Sequence, residues 1–255
     1  MSKFFSTFVP DFEIIMEKIS KSQVKLVKSL QVKKYRDELG LFVAEGEKCV
    51  EELRRAFELV HLYREGENAT RTEIEQMSGL RTPQGVIGVF KKRNGANDAN
   101  GVSDANDGLI LALDGIQDPG NLGTIIRTCD WFGVHDIFCS SDTADCYNPK
   151  VVQATMGALA RVRIHYVDLP AWLKEQQGPI IGTLLEGRDM YEAPLPKQGI
   201  IVMGNEGNGI SQDVRKLISH PILIPPYPNK KASEVIESLN VSIATAIVLA
   251  EIRKP

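Results

Sequence analysis

The stretch LDGIQDPGNLGTIIRTCDWFG, residues 113–133, passes from the end of an apolar segment into an Asp/Pro/Gly/Asn turn and then into a run with helical character. A strand-to-turn-to-helix junction exposes backbone N–H groups and the positive end of a helix, which suits an anion such as phosphate. Asn121 lies in the turn, and Arg127 follows in the helix. A guanidinium at that point can grip a phosphate or carboxylate with two prongs. Asn121 can equally be a plain helix cap, and Arg127 a surface ion pair.

Two further segments downstream leave an apolar strand through a turn. GIIVMG (199–204) opens into GNEGNG (204–209), where Glu206 stands in a turn of Gly and Asn. Its glycines permit close backbone approach to a ligand, but their spacing is not GxGxxG and they follow no first strand of a βαβ unit. PILIP (221–225) leads through PYPNKKASEVI to ESLNVSIATAIVLAEIRK (237–254). There Ser238 or Asn240 can cap a helix whose apolar stripe is Val241, Ala244, Ile247, Val248 and Ile252.

Outward from these motifs the chain alternates strand-like and helix-like segments. LILALD (109–114), VHDIFC (134–139), VRIHYV (162–167), IIGTLL (180–185), GIIVMG and PILIP are apolar nearly throughout, as strands of a parallel sheet covered on both faces must be. Helices are expected at 123–132, 148–158, 170–177, 211–219 and 239–253. Upstream, KKRNGANDANGVSDANDG (91–108) is rich in Asn, Asp, Gly and Ala and reads as a flexible linker. Before it, residues 11–40 read as helical, LGLFVAEG (39–46), LVHLY (59–63) and GVIGVF (85–90) as strands, and 49–57 and 72–80 as helices. The fold class is therefore α/β, with a small domain over 1–90, a linker over 91–108 and a larger domain over 109–255.

The 255 residues are 43% hydrophobic and 25% charged, ordinary for a globular chain. The net charge of −3 argues against a globally basic nucleic-acid binder, yet it is uneven. Residues 1–93 carry 17 Lys/Arg against 14 Asp/Glu, and residues 94–255 carry 13 against 19. Cys49, Cys129, Cys139 and Cys146 form no CxxC pair and no zinc-site spacing with His, so they read as reduced thiols and no metal is expected. No apolar run reaches the roughly 20 residues of a membrane span, and the N-terminal stretch is interrupted by acidic residues, so a cytoplasmic protein is expected. A dinucleotide-dependent oxidoreductase lacks its glycine fingerprint, and a Ser/His hydrolase lacks a G-x-S-x-G elbow.

Taken in order, the three motifs resemble motifs 1, 2 and 3 of the SpoU (TrmH-like) RNA ribose 2′-O-methyltransferases of the SPOUT superfamily. The resemblance implies a C-terminal domain with a deep trefoil knot, S-adenosylmethionine as cofactor and a homodimer. It implies cofactor contacts at Thr183, Gly204, Asn205, Ile224, Ser238, Leu239 and Asn240. It also implies that Asn121, Arg127, Glu206, Ser238 and Asn240 surround the methyl group and the target ribose, with Arg127 serving the partner subunit's site. VKLVKSLQVKKYRDELGLFVAEGEKCVEEL (24–53) resembles the start of the ribosomal-protein-like substrate-binding domain of the rRNA-modifying branch, which implies RNA contacts at Lys33, Lys34, Tyr35 and Arg36. The branch favours rRNA over tRNA. An RNA-binding protein of the same fold without activity is the alternative from another class. The stretch 225–237 departs from the family pattern: it is longer, lacks the usual Gly and carries Lys230 and Lys231, which suggests an RNA-contacting flap.

Overall fold

The computed structural model describes residues 19–93, 108–192, 194–227 and 238–255. Lys21–Ser29 (α1) and Lys33–Leu39 (α2) stand in the stretch 11–40 that reads as helical; residues 11–18 lie outside the described residues. A side chain holds the break. Arg36 of α2 turns back and donates to the carbonyls of Leu30 and Gln31, the groups that the end of α1 leaves without helical partners. α1 starts sharply because Ser20 and Gln23 form a capping box.

The chain continues through Leu41–Glu45 (β1), Glu47–Arg54 (α3), Leu59–Arg64 (β2), Arg71–Met77 (α4) and Val86–Lys91 (β3). These strands form an antiparallel sheet in the order β1-β3-β2. Glu45 is buried at the end of β1, where its carboxylate accepts from Ser78 Oγ (2.5 Å) and from the Gly79 amide (2.7 Å), so it holds the segment after α4.

The second sheet contains Leu109–Asp114 (β4), Asp136–Ser140 (β5), Arg163–Val167 (β6), Ile180–Asp189 (β7), Gly199–Gly204 (β8) and His220–Leu223 (β9). All its pairings are parallel, in the order β6-β5-β4-β8-β7-β9. Its helices are Pro119–Trp131 (α5), Pro149–Thr155 (α6), Leu169–Lys174 (α7), Gln212–Arg215 (α8) and Val241–Arg253 (α9). The strands are apolar on both faces because both are covered. Leu109, Leu111 and Leu113 share a core with residues of α5, α6 and α9, whereas Ala112 packs with Leu169, Trp172 and Val214 of α7 and α8. Strand order reverses between β4 and β8, which opens a crevice at their carboxyl ends.

The two modules share a core. Phe42 of β1, Leu53 of α3 and Phe57 belong to the same buried cluster as Leu122 and Ile126 of α5 and Val151 of α6, while Val43 and Ile87 pack in a separate cluster with Val27, Leu30 and Ile74. Tyr147 lies against Phe42 (ring centroids 4.8 Å apart) and Phe57 (6.3 Å), pairs that add about 0.5–1.5 kcal/mol beyond burial. Of the stretch 91–108 read as a linker, residues 94–107 lie outside the described residues. Its start is fixed: Lys91 ends β3, and Arg93 sits over the Phe57 ring and donates to the Ala160 carbonyl (2.9 Å). All four cysteines are buried and unpaired, and burial pushes the Cys49 thiol up to about 11. Among the described residues, no helix is long and apolar enough to cross a membrane.

Met156 closes α6 in the left-handed region at φ 52°. A β-carbon there crowds the carbonyl, at about 1–2 kcal/mol, and glycine escapes that cost while losing more freedom on folding. Met156→Gly should therefore stabilise the protein by about 0.5–1 kcal/mol. A denaturant midpoint unchanged or lowered would refute this.

Candidate active site

β4 and β8 pair in a register that sets Asp114 beside Gly204, so the turns after the two strands emerge side by side. Asp114 accepts from the Ser211 amide (2.7 Å), and Asn205 donates from Nδ2 to the Gly115 carbonyl (2.8 Å). Asn205 Oδ1 accepts from the amides of Gly207 (2.9 Å) and Asn208 (3.1 Å), while Asn205 and Gly209 exchange backbone bonds. The GNEGNG turn is thus closed on itself and pinned to the turn after β4.

Helix α5 is capped by Asp118, which accepts from the Asn121 amide (2.8 Å), and Pro119 occupies its first turn. The cap is therefore not Asn121, and the Asn121 side chain is left for long-range partners. Its Nδ2 donates to Glu206, and its Oδ1 accepts from Asn240 Nδ2 (2.9 Å). Asn240 is the cap of α9: its Oδ1 accepts from the amides of Ser242 (3.0 Å) and Ile243 (3.4 Å) and from Ser242 Oγ (2.6 Å). The directions follow from chemistry. An ionised carboxylate can only accept and helix-end amides can only donate, so both asparagine amides have one orientation. Glu206, Asn121 and Asn240, expected at one site, are thereby joined into a single hydrogen-bonded row.

Behind the row is a cavity of about 1200 Å³. Thr183, Gly204, Asn205, Ile224, Ser238 and Leu239 all line it; Asn240, also expected at the cofactor, is not part of the lining and spends its amide on Asn121. The wall that begins at Thr183 is built by the irregular half of β7. The pairing of β7 with β9 jumps between Thr183 and Arg188, which turns Leu184, Leu185 and Glu186 toward the cavity. Glu186 forms an ion pair with Arg215 at this wall. Arg215, Tyr191 and Tyr227 also line the cavity and had no signal in the sequence beyond their proximity to the motifs.

Arg127 lies outside the lining. It is exposed on α5 and has no ion pair among the described residues; Trp131, one turn on, is 85% exposed. On α9, which packs against α5, Ile243 is 54% exposed.

On α2, Lys34 and Tyr35 are exposed. Lys33 is paired with Asp37 (2.6 Å), which also takes Lys92 (2.6 Å); these two ammonium groups hold the Asp37 carboxyl below its usual range. Arg36 corrects the expectation of an RNA contact. Its side chain is 2% exposed, and its guanidinium is bound to Asp145 (2.7 Å) and two backbone carbonyls, leaving nothing to offer a phosphate. The structure adds Lys21, Lys25 and Lys28, exposed along one side of α1 without an ion pair among the described residues. Their spacing was visible in the sequence. Lys230 and Lys231 lie outside the described residues.

Comparison with known proteins places these features. Residues 108–250 match the model of the SpoU rRNA Methylase family, and residues 21–68 match an MRM3-like substrate binding domain. The chain is 27% identical to the 23S rRNA guanosine 2′-O-methyltransferase RlmP of Bacillus subtilis, over 93% of this chain and 98% of that one. It is 33% identical to the 23S rRNA guanosine-2′-O-methyltransferase RlmB of Bordetella pertussis, over 74% and 78%. Among solved structures, a TrmH-family protein from Porphyromonas gingivalis superposes with a TM-score of 0.80 at 36% identity, covering 92% of this chain and 98% of that one. An AdoMet-bound rRNA methyltransferase from Sinorhizobium meliloti gives 0.78 at 28% identity, covering 93% and 96%.

Proposed function

Because the chain belongs to the SpoU rRNA methylase family, we propose that it is an S-adenosylmethionine-dependent RNA ribose 2′-O-methyltransferase acting on rRNA. The observation that carries this reading is the Glu206–Asn121–Asn240 row at the edge of a cavity lined by the second and third motifs. The cavity suits a nucleoside bearing an amino-acid tail. Leu184, Leu239, Ile224 and Ile247 offer apolar surface to a base, and the Gly/Asn loop brings backbone groups close. The cofactor supplies a methyl group already activated on a sulfonium.

This chain's residues have the task of alignment. The row fixes the motif 2 loop against the starts of α5 and α9, so Glu206 organises the loop and Asn240 orients Asn121. Ser238, exposed at the rim of the cavity, is left to meet the ribose. Arg127 holds the phosphate next to the target ribose; a guanidinium stays protonated and is a poor base. We assign it to the partner subunit's site in a homodimer. Its exposure outside the cavity of its own chain supports this, as does the exposed apolar surface of Trp131, one turn on along α5, and of Ile243 on the helix packed against α5. The trefoil knot and the division into a substrate domain, a linker and a methyltransferase domain belong to the same reading, as does a cytoplasmic location.

The test is transfer of labelled methyl from S-adenosylmethionine to unmodified rRNA and tRNA. Label at a ribose 2′ position of rRNA is expected. Label only in tRNA would move the substrate class, and no transfer with no cofactor binding would leave an inactive RNA-binding protein. The rRNA reading takes support from the activities of the RlmP and RlmB relatives.

RNA contacts are proposed at Lys34 and Tyr35, with Lys33 weakened by Asp37, and extended to Lys21, Lys25 and Lys28. Each phosphate that the protein ceases to neutralise should flatten the salt dependence of binding by about 0.7–0.9 in log–log slope. Lys21→Ala/Lys25→Ala/Lys28→Ala should therefore reduce the slope by about 2 to 3. An unchanged slope would remove α1 from the RNA surface.

A further inference from the structure

The buried pair Arg36–Asp145 joins the N-terminal module to the segment that supports the turn of the first motif. Arg36 reaches Asp145 Oδ2 with Nη2 (2.7 Å) and Nε (3.1 Å), and its Nη1 holds the carbonyls of Leu30 (2.9 Å) and Gln31 (3.0 Å). One guanidinium thus ties the α1–α2 junction to the segment between β5 and α6. The N-terminal module grips that segment a second time at Tyr147, through Phe42, Phe57 and the Arg93 amide (3.2 Å to Tyr147 Oη).

The other side of the same segment supports the turn after β4. The Ala144 amide donates to the Ile116 carbonyl (2.8 Å). Ser140 Oγ accepts from the Gly115 amide (2.8 Å) and donates to Asp142 (2.6 Å). Tyr166 Oη donates to the Ala144 carbonyl (2.5 Å) and accepts from the Cys146 amide (2.8 Å), which stiffens the segment between its two attachments. The Gly115 carbonyl in turn holds Asn205, and the loop of Asn205 carries Glu206 to Asn121.

We propose that Arg36 and Asp145 are positioning residues for methyl transfer: through residues 140–147 they set the catalytic turn, and with it the target ribose, in fixed register with the N-terminal module. This rests on the methyltransferase reading. An apolar contact would hold the two modules together as firmly, but it is not directional; two guanidinium nitrogens converging on Asp145 Oδ2, with the Tyr147 amide on Oδ1, fix angle as well as distance. The arrangement also places the proposed RNA contacts Lys34 and Tyr35 on the helix that carries Arg36.

The test compares the full-length wild type with Arg36→Met/Asp145→Asn. Removing both charges avoids the buried, unpaired ion that either single change would leave. The side-chain amide oxygen introduced by D145N can still accept from the Tyr147 amide, as the Asp145 carboxylate does now (2.9 Å). Affinity for S-adenosylmethionine, single-turnover methyl transfer at saturating cofactor, the position of the methylated ribose and amide exchange at Gly115 are measured. The expected result is cofactor affinity within about twofold, because neither residue lines the cavity, with transfer slowed about 10- to 100-fold. Methylation should spread to neighbouring nucleotides, and Gly115 exchange should quicken. A folded variant with wild-type transfer, wild-type site choice and unchanged Gly115 exchange would reduce the pair to a structural staple and overturn the proposal. If the double variant does not fold, Arg36→Lys takes its place, since one ammonium cannot hold Asp145 and both carbonyls at once; the same two outcomes decide. If the wild type itself transfers no methyl to any RNA, the methyltransferase reading fails, while Gly115 exchange still decides whether the pair sets the turn.

Discussion

Arg127→Ala should lower methyl transfer by about 10²–10³-fold, the usual loss for a charge-stabilising donor, while cofactor affinity stays within about twofold of wild type. The separation follows from geometry: Arg127 is exposed on α5 and outside the cavity that would hold the cofactor. Its assignment to the partner's site makes a stronger prediction. Arg127→Ala protomers mixed with Glu206→Ala protomers should regain activity, because a mixed dimer contains one site with a native Glu206 row and a native Arg127 from across the interface. Random exchange makes about half the dimers mixed, each with one working site, so about a quarter of wild-type activity should return. Recovery absent in dimers shown to be mixed would place Arg127 in the site of its own chain. Loss of cofactor binding in Arg127→Ala would show that its role is not confined to the RNA.

Gly204→Ala should abolish cofactor binding or weaken it by at least about 100-fold, equivalent to some 2.7 kcal/mol. A β-carbon at Gly204 would stand 2.4 Å from the Gly209 carbonyl carbon, 2.5 Å from the Ile210 nitrogen and 2.6 Å from the Gly209 oxygen. All three are backbone atoms, and the loop that carries them is closed by the Asn205–Gly209 bonds and pinned at Gly115. It cannot move aside without releasing Asn205 and Glu206, so overpacking of about 1–3 kcal/mol would be taken up by distortion of the site. Gly207→Ala is the control. Its β-carbon would meet only Asn205 Oδ1, at 3.4 Å, so binding within about threefold of wild type is expected. Calorimetric titration of both variants decides. Equal affinities would mean that the loop is pliable and that the close approach at Gly204 does not shape the cavity.

The strands were legible because their signal is local. β4 and β8 begin and end where the apolar runs at 109–114 and 199–204 do, since Gly108 and Asp114 bound the first and Gly199 and Gly204 the second. β7 was read to 185 and runs to Asp189, because its second half owes its shape to pairing with β9, a partner that periodicity does not name. The stretch 11–40, read as helical, holds two helices for a different reason. Nothing in KSLQVKKY breaks a helix by propensity; the break is held by Arg36 on the carbonyls at the end of α1.

The sequence by itself determined the class of the fold, the order of its strands along the chain and the residue types of the site, because each is written in short windows: apolar runs, glycine turns, caps and three ordered motifs. Only the tertiary structure decided which of those residues meet. Asn121 bonds Glu206 and Asn240 across separations of 85 and 119 residues, and Arg36 finds Asp145 across 109. The sequence marked Arg36 as one more cation on a basic helix. Burial decided otherwise, since a guanidinium enclosed by a second module must be paired, and its partner became visible only when the chain had brought the two sheets together.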